Sequence, residues 1–166
     1  MDIVLDSVSL NHLLRSPRRV RERFNETVGT PLDPAIADGT LKLAVDISRG
    51  LIDEWARTCG PEVVHVLVTK WESQNGILLM GPLGKLSSSQ RSRLLRLGFT
   101  DACDKLIVKI AVATDSRTIV SDDSDFWDPK QKGNYCNPNA PVARILIEEL
   151  GINIFVLKQL IAMILS

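Results

Sequence analysis

Short apolar, often β-branched runs alternate with helical stretches from one end of this chain to the other. That alternation narrows the fold class more than any other feature. Ile3-Val4-Leu5, residues 41–45, Thr118-Ile119-Val120 and residues 152–157 read as strands. Residues 76–81, apolar and bracketed by glycines, read as a further strand or a buried connection. Between them, four stretches place apolar residues at helical spacing. These are residues 7–14, a helix capped by Ser48 and carrying Leu51, Ile52 and Trp55, a basic helix opening at residues 87–89 and closed by Gly98, and residues 100–113. Residues 142–150 and 159–165 read as two more helices. Residues 62–71 match a helix face, although their β-branched content favours a strand; the helical or mixed reading is preferred. Residues 29–34 read as a loop by their turn residues. The expected fold is therefore α/β, built from βαβ units, with a mainly parallel sheet between helices.

A length of 166 residues is enough for one domain, 1–166, with a real core. Lys and Arg together number 20, as do Asp and Glu, so no global charge draws the chain to nucleic acid; any such attraction has to be local. Arg18, Arg19, Arg21 and Arg23 form the densest positive patch. It reads as a solvated helix face or as a phosphate-contacting surface. Cys59, Cys103 and Cys136 are odd in number and lack metal-ligand spacing, which fits a reducing, cytoplasmic setting. No signal peptide and no membrane-spanning run is expected.

The strand 118–120 ends abruptly in Ser121, Asp122, Asp123 and Asp125. In an open parallel sheet, the carboxyl ends of the strands are where ligands bind. The same stretch also reads as an Asp-rich surface turn. Other acids share its expected edge. Asp6 directly follows the first strand, Glu54 lies on the helix after the second, and Asp101 and Asp104 open the long helix. Each has an ordinary use: Asp6 as a cap, Asp101 and Asp104 as complements of a helix N-terminus, Glu54 as a solvated residue. As a set they imply strong mutual repulsion unless protons or a cation offset it. Hard oxygen ligands suit Mg²⁺ or Mn²⁺, which promote phosphodiester hydrolysis. Asp122 is expected to face solvent, and Asp46 is ranked below Glu54.

These segments together resemble PIN-domain nucleases over nearly the whole length. Ile3-Val4-Leu5-Asp6 resembles the opening strand and its Asp. Ser48 followed by Glu54 resembles the second motif, and Asp104 to Ala111 the central one. Ile119-Val120-Ser121-Asp122-Asp123-Ser124-Asp125-Phe126 resembles the last and most specific. The chain departs from the family at Val8, where Asn or Ser is common; Ser7 and Ser9 are the substitute hydroxyls. Residues 62–86 exceed what a minimal member needs.

The resemblance implies a PIN-like three-layer sandwich, Mg²⁺ or Mn²⁺, and endonucleolytic cleavage of single-stranded RNA. It implies metal ligands or water activators at Asp6, Glu54, Asp104, Asp123 and Asp125, with Asp101 a weaker match. In the expected mechanism Asp6, Asp104 and Asp123 hold the ion. Glu54 and Asp125 orient or deprotonate water, or help hold a second ion. Arg18, Arg19, Arg91 and Arg93 are candidate RNA-backbone contacts. Small bacterial members are often toxins of toxin–antitoxin pairs and often dimerise, so an antitoxin and a homodimer are the expected protein partners. The rival reading is a PIN-like module that grips RNA or protein without cutting. A phosphatase or receiver-like domain would need Lys or Thr motifs that the chain lacks.

Overall fold

A computed structural model describes residues 1–14 and 29–166. The chain runs β1 (Asp2–Leu5), α1 (Ser7–Leu14), α2 (Asp33–Ala37), β2 (Lys42–Asp46), α3 (Gly50–Cys59), α4 (Pro61–Ser73) and β3 (Ile77–Met80). It continues with α5 (Ser88–Arg96), α6 (Ala102–Ala113), β4 (Thr118–Val120) and a 3₁₀ turn, Ser124–Phe126. α7 (Pro141–Arg144), a π-helical turn (Ile145–Glu149), β5 (Asn153–Phe155) and α8 (Leu157–Ile164) complete it. The five strands pair in the order β3-β2-β1-β4-β5, every pairing parallel. Helices flank the sheet, giving the three-layer α/β arrangement expected from the alternation.

The central strands are apolar because both their faces are covered. Ile3, Val4 and Leu5 of β1 are fully buried, as are Leu43, Ala44 and Val45 of β2. α6 lies against β1, β2 and β4, while α3 packs on α1, α4 and α6. Trp55 of α3 and Trp71 of α4 meet edge to face, with centroids 6.3 Å apart, and both are fully buried. The Trp55 indole Nε1 donates to the Leu5 carbonyl at 2.9 Å, tying α3 to the end of β1. Gly76 makes the turn from α4 into β3; a Cβ there would stand 2.2 Å from Ile36 Cγ2. Residues 62–86 thus supply a helix and the sheet's edge strand.

Several boundaries differ from the sequence reading. Asp33 and Pro34, expected in a loop, open α2, because Pro is preorganised for a first helical turn. Ser48 does not cap α3. The cap position is Arg49, at φ 63°, and the Asp46 carboxylate accepts from Gly50 N and Leu51 N at 2.9 Å each. Asp101 is the N-cap of α6 and not a first-turn residue, accepting from Cys103 N and Asp104 N. The helix expected over residues 142–150 is four α-helical residues followed by a π turn. The last strand is three residues long, and the closing helix starts at Leu157, whose N–H donates to Asp122 Oδ1. No helix among the described residues is long and apolar enough to cross a membrane.

Trp55→Phe keeps most of the ring packing but leaves the Leu5 carbonyl without its donor. It should lower unfolding free energy by about 1–3 kcal/mol, read from urea denaturation.

Candidate functional site

The strand order reverses direction between β1 and β4: from β1 the chain builds outward to β2 and β3, then returns to the other side for β4 and β5. Parallel sheets open a crevice at such a point, beyond the carboxyl ends of the two strands. Leu5 is in register with Val120, and Asp6 N donates to Val120 O at 2.9 Å. Asp6 and Ser121, the next residue on each strand, therefore meet. Ser121 Oγ donates to Asp6 Oδ2 at 2.8 Å and accepts from Asp123 N at 3.0 Å. One fully buried hydroxyl joins the first acid to the segment carrying the last two.

Asp6 is 3% exposed, and its carboxyl is pushed up to about 6. Burial is the largest cause; the Ser121 hydrogen bond and the Ser7 and Val8 backbone amides oppose it, and the Asp123 charge adds to it. Asp104, in the first turn of α6, is 7% exposed. Its carboxyl is pushed up to about 8, first by burial and then by the charges of Asp6, Asp101, Asp123 and Asp125. Those four charges act on Asp104 because β1, β4 and the start of α6 end at one edge. The Asp104 carboxylate accepts no hydrogen bond and joins no ion pair among the described residues. A buried, unpartnered carboxylate in an acidic field is costly when ionised.

The remaining acids are partly engaged. Asp123 Oδ1 caps the 3₁₀ turn by accepting from Asp125 N at 3.0 Å. Asp125 Oδ1 stands 2.5 Å from Lys132 Nζ. Glu54 pairs with Arg57, one turn along α3, and accepts from Thr58 Oγ1 at 3.3 Å. Its charge reaches Cys103 at the start of α6, together with those of Asp6, Asp104 and Asp101. Burial first, and then that field, push the Cys103 thiol up to about 12, so it stays protonated and unreactive. Glu54 thus sits on the α3–α6 flank of the cluster.

Asp122 turns away from the acids. It contacts His12 Nδ1 at 2.7 Å and the N-terminus of α8, while its own N–H donates to Ser9 Oγ. It is half-buried and bonded, where the sequence reading had it facing solvent. Ser9 is therefore occupied in holding the β4 loop, and Ser7 Oγ lies 3.5 Å from Asp6 Oδ1, so Ser121 is the nearer hydroxyl. Asp46, used as the α3 cap, is not a competitor for Glu54's place.

Of the candidate RNA contacts, Arg18 and Arg19 lie outside the described residues. Arg93 is held by both oxygens of Glu149, at 2.6 and 2.5 Å. Arg91 folds back on Leu86 O and Ser88 Oγ. Ser121, Lys132 and Arg57 join these acids without being among the residues expected from the sequence. Ser121 had a signal, as the hydroxyl residue of the last motif; nothing in the local pattern marked the other two.

The donors are all carboxylate oxygens, which suits a hard divalent cation. Asp104 supplies a buried carboxylate with no partner among the described residues. Among the described residues, no three His, Cys, Asp or Glu side chains stand close enough to hold an ion as placed. The residues fit a cation in chemistry, and as placed they do not converge on one.

Asp104 also sets a pH dependence. Between its usual value of 3.8 and about 8, the folded chain keeps a proton that the unfolded chain has released. Asp104 therefore costs the metal-free protein stability as pH rises through that window. Asp104→Asn, which mimics the protonated form, should raise the melting temperature at pH 8 in EDTA and change it little at pH 4. Thermal melts of both proteins across that range measure the difference. No family model, no curated protein and no solved structure matches this chain.

Proposed function

We propose that this chain is a Mg²⁺- or Mn²⁺-dependent endoribonuclease of PIN-like type that hydrolyses phosphodiester bonds of single-stranded RNA. The observation that carries the reading is Asp104: a buried carboxylate with no partner among the described residues, facing the charges of four other acids at the switch point of a parallel sheet. Asp6, Asp104 and Asp123 would hold the cation. Bound there, it would supply Lewis-acid stabilisation of charge on the phosphoryl oxygens.

The chain's own residues carry the remaining tasks. Ser121 keeps Asp6 oriented and, through the Asp123 amide, fixes the spacing of the two acids. The Asp123 cap on the 3₁₀ turn sets where Asp125 projects. Asp125 and Glu54, more open than Asp6 and Asp104, are the groups able to orient water or take its proton. A role as the toxin of a toxin–antitoxin pair follows from the family resemblance alone.

A second reading is a PIN-like module that binds RNA or a protein without cutting. It is favoured by the internal ion pairs on Glu54 and Asp125 and by the spread of the acids. The two readings part on one set of measurements. The nuclease should cleave a single-stranded RNA in Mn²⁺ and stop in EDTA. Asp6→Asn, Asp104→Asn and Asp123→Asn should each reduce cleavage on the order of 100-fold or more while the circular dichroism spectrum is kept. Cleavage that survives EDTA would sink the metal reading; RNA binding without cleavage, and no heat of Mn²⁺ binding, would leave the non-cutting module.

A further inference from the structure

An acid-lined crevice repels the polyanion it is proposed to cut, so substrate contact needs positive charge at its rim. Neither Arg91 nor Arg93 is tied to the site: the first bonds within its own helix end, and the second pairs with Glu149 and feels none of the site's acids. Two other cations lie within the site itself. Arg57 belongs to α3 and pairs with Glu54; its guanidinium also feels Asp101, the cap of α6. Lys132, in the loop after the 3₁₀ turn, pairs with Asp125 and also feels Asp123. One stands on the α3–α6 flank of the acids and the other on the β4 flank. Their side chains are 75% and 70% exposed, far more open than the carboxylates they hold, at 17% and 24%. Each is a long, solvated arm anchored at one point to a less exposed acid.

We propose that Arg57 and Lys132 are the phosphate-contacting residues of the site, resting on Glu54 and Asp125 until single-stranded RNA arrives. The proposal rests on the nuclease reading of the same acids. Exposed ion pairs of this kind are weak, so exchanging a carboxylate for a backbone phosphate is a small change for either cation. The exchange also has a consequence for the acids. Each arm that moves to a phosphate frees one carboxylate, Glu54 or Asp125, for water. Substrate binding and assembly of the open acids are thereby linked. Each arm also lays positive charge beside the acids that would hold a divalent cation, so removing an arm should affect metal and RNA in opposite directions.

The test uses the full chain and the variants Arg57→Ala and Lys132→Ala, with Arg57→Lys and Lys132→Arg as charge-keeping controls. Binding of a fluorescein-labelled oligouridylate in Ca²⁺ is followed by anisotropy from about 50 to 200 mM KCl. Cleavage in Mn²⁺ and Mn²⁺ affinity by calorimetry are measured alongside. The expected result for each Ala variant is a raised KM, weaker RNA binding and tighter Mn²⁺ binding. The slope of log affinity against log salt should fall by about 0.7 per arm removed. The charge-keeping variants should restore the slope. If the wild type binds and cuts RNA but the Ala variants keep its affinity and salt slope, the proposal is overturned and the nuclease reading stands. A loss confined to kcat overturns it as well, because the cations would then only position the carboxylates. If the wild type neither binds nor cuts the RNA, both readings fall together.

Discussion

The parallel pairing of β1 with β4 brings together parts of the chain 115 residues apart, and the arrangement of the site depends on it. The Leu5–Val120 register sets the first residue beyond each strand side by side. Those residues are Asp6 and Ser121, and their hydrogen bond is buried. A one-residue slip would turn the side chains of β4 to the opposite face of the sheet. The complete burial of Ile3, Val4, Leu5, Ile119 and Val120 opposes such a slip. The packing of the central strands and the geometry of the acids therefore have one origin. Trp55 extends the same constraint to α3, because its indole closes on the last carbonyl of β1.

Around that junction the acids divide by what neutralises them. Asp46 caps α3, Asp101 caps α6, and Asp122 joins His12 to the start of α8. These are structural uses, each carboxylate accepting from backbone amides or a ring nitrogen. Glu54 and Asp125 hold exposed cations, and Asp123 holds a turn with one oxygen. Asp6 and Asp104 differ from the rest, since burial and neighbouring charge raise both. Asp104 is the extreme case, with no donor among the described residues to relieve it. Raised carboxyl groups at a strand-end crevice are a pattern associated with functional sites, although structural networks also produce shifts. The geometry separates Asp104 from a network, because a network would supply it with partners.

Much of this was legible from residue order. The alternation of apolar runs and helical stretches implied a parallel sheet, and the acids at strand ends implied one edge. Asp6 meets Ser121 at that edge, and the charges of Asp6, Asp101, Asp123 and Asp125 reach Asp104, but among the described residues no three acids stand close enough as placed to hold an ion. Caps and short elements were less legible. Ser48 has the chemistry of a cap, but β2 delivers Asp46 to the same amides first. Residues 142–150 have helical periodicity, yet periodicity does not distinguish an α-helix from one that widens into a π turn. Arg93 looked free on a basic helix because Glu149, its partner, is 56 residues away.

The residue pattern by itself determined the class of the fold and the edge at which its acids gather, because side-chain periodicity and strand-end position are local properties. Tertiary structure alone decided which of those acids are satisfied. That depends on partners brought in from distant segments: Ser121 for Asp6, Lys132 for Asp125, and none among the described residues for Asp104. Burial sets the electrostatic cost of a carboxylate, and burial exists only once the chain has folded around it.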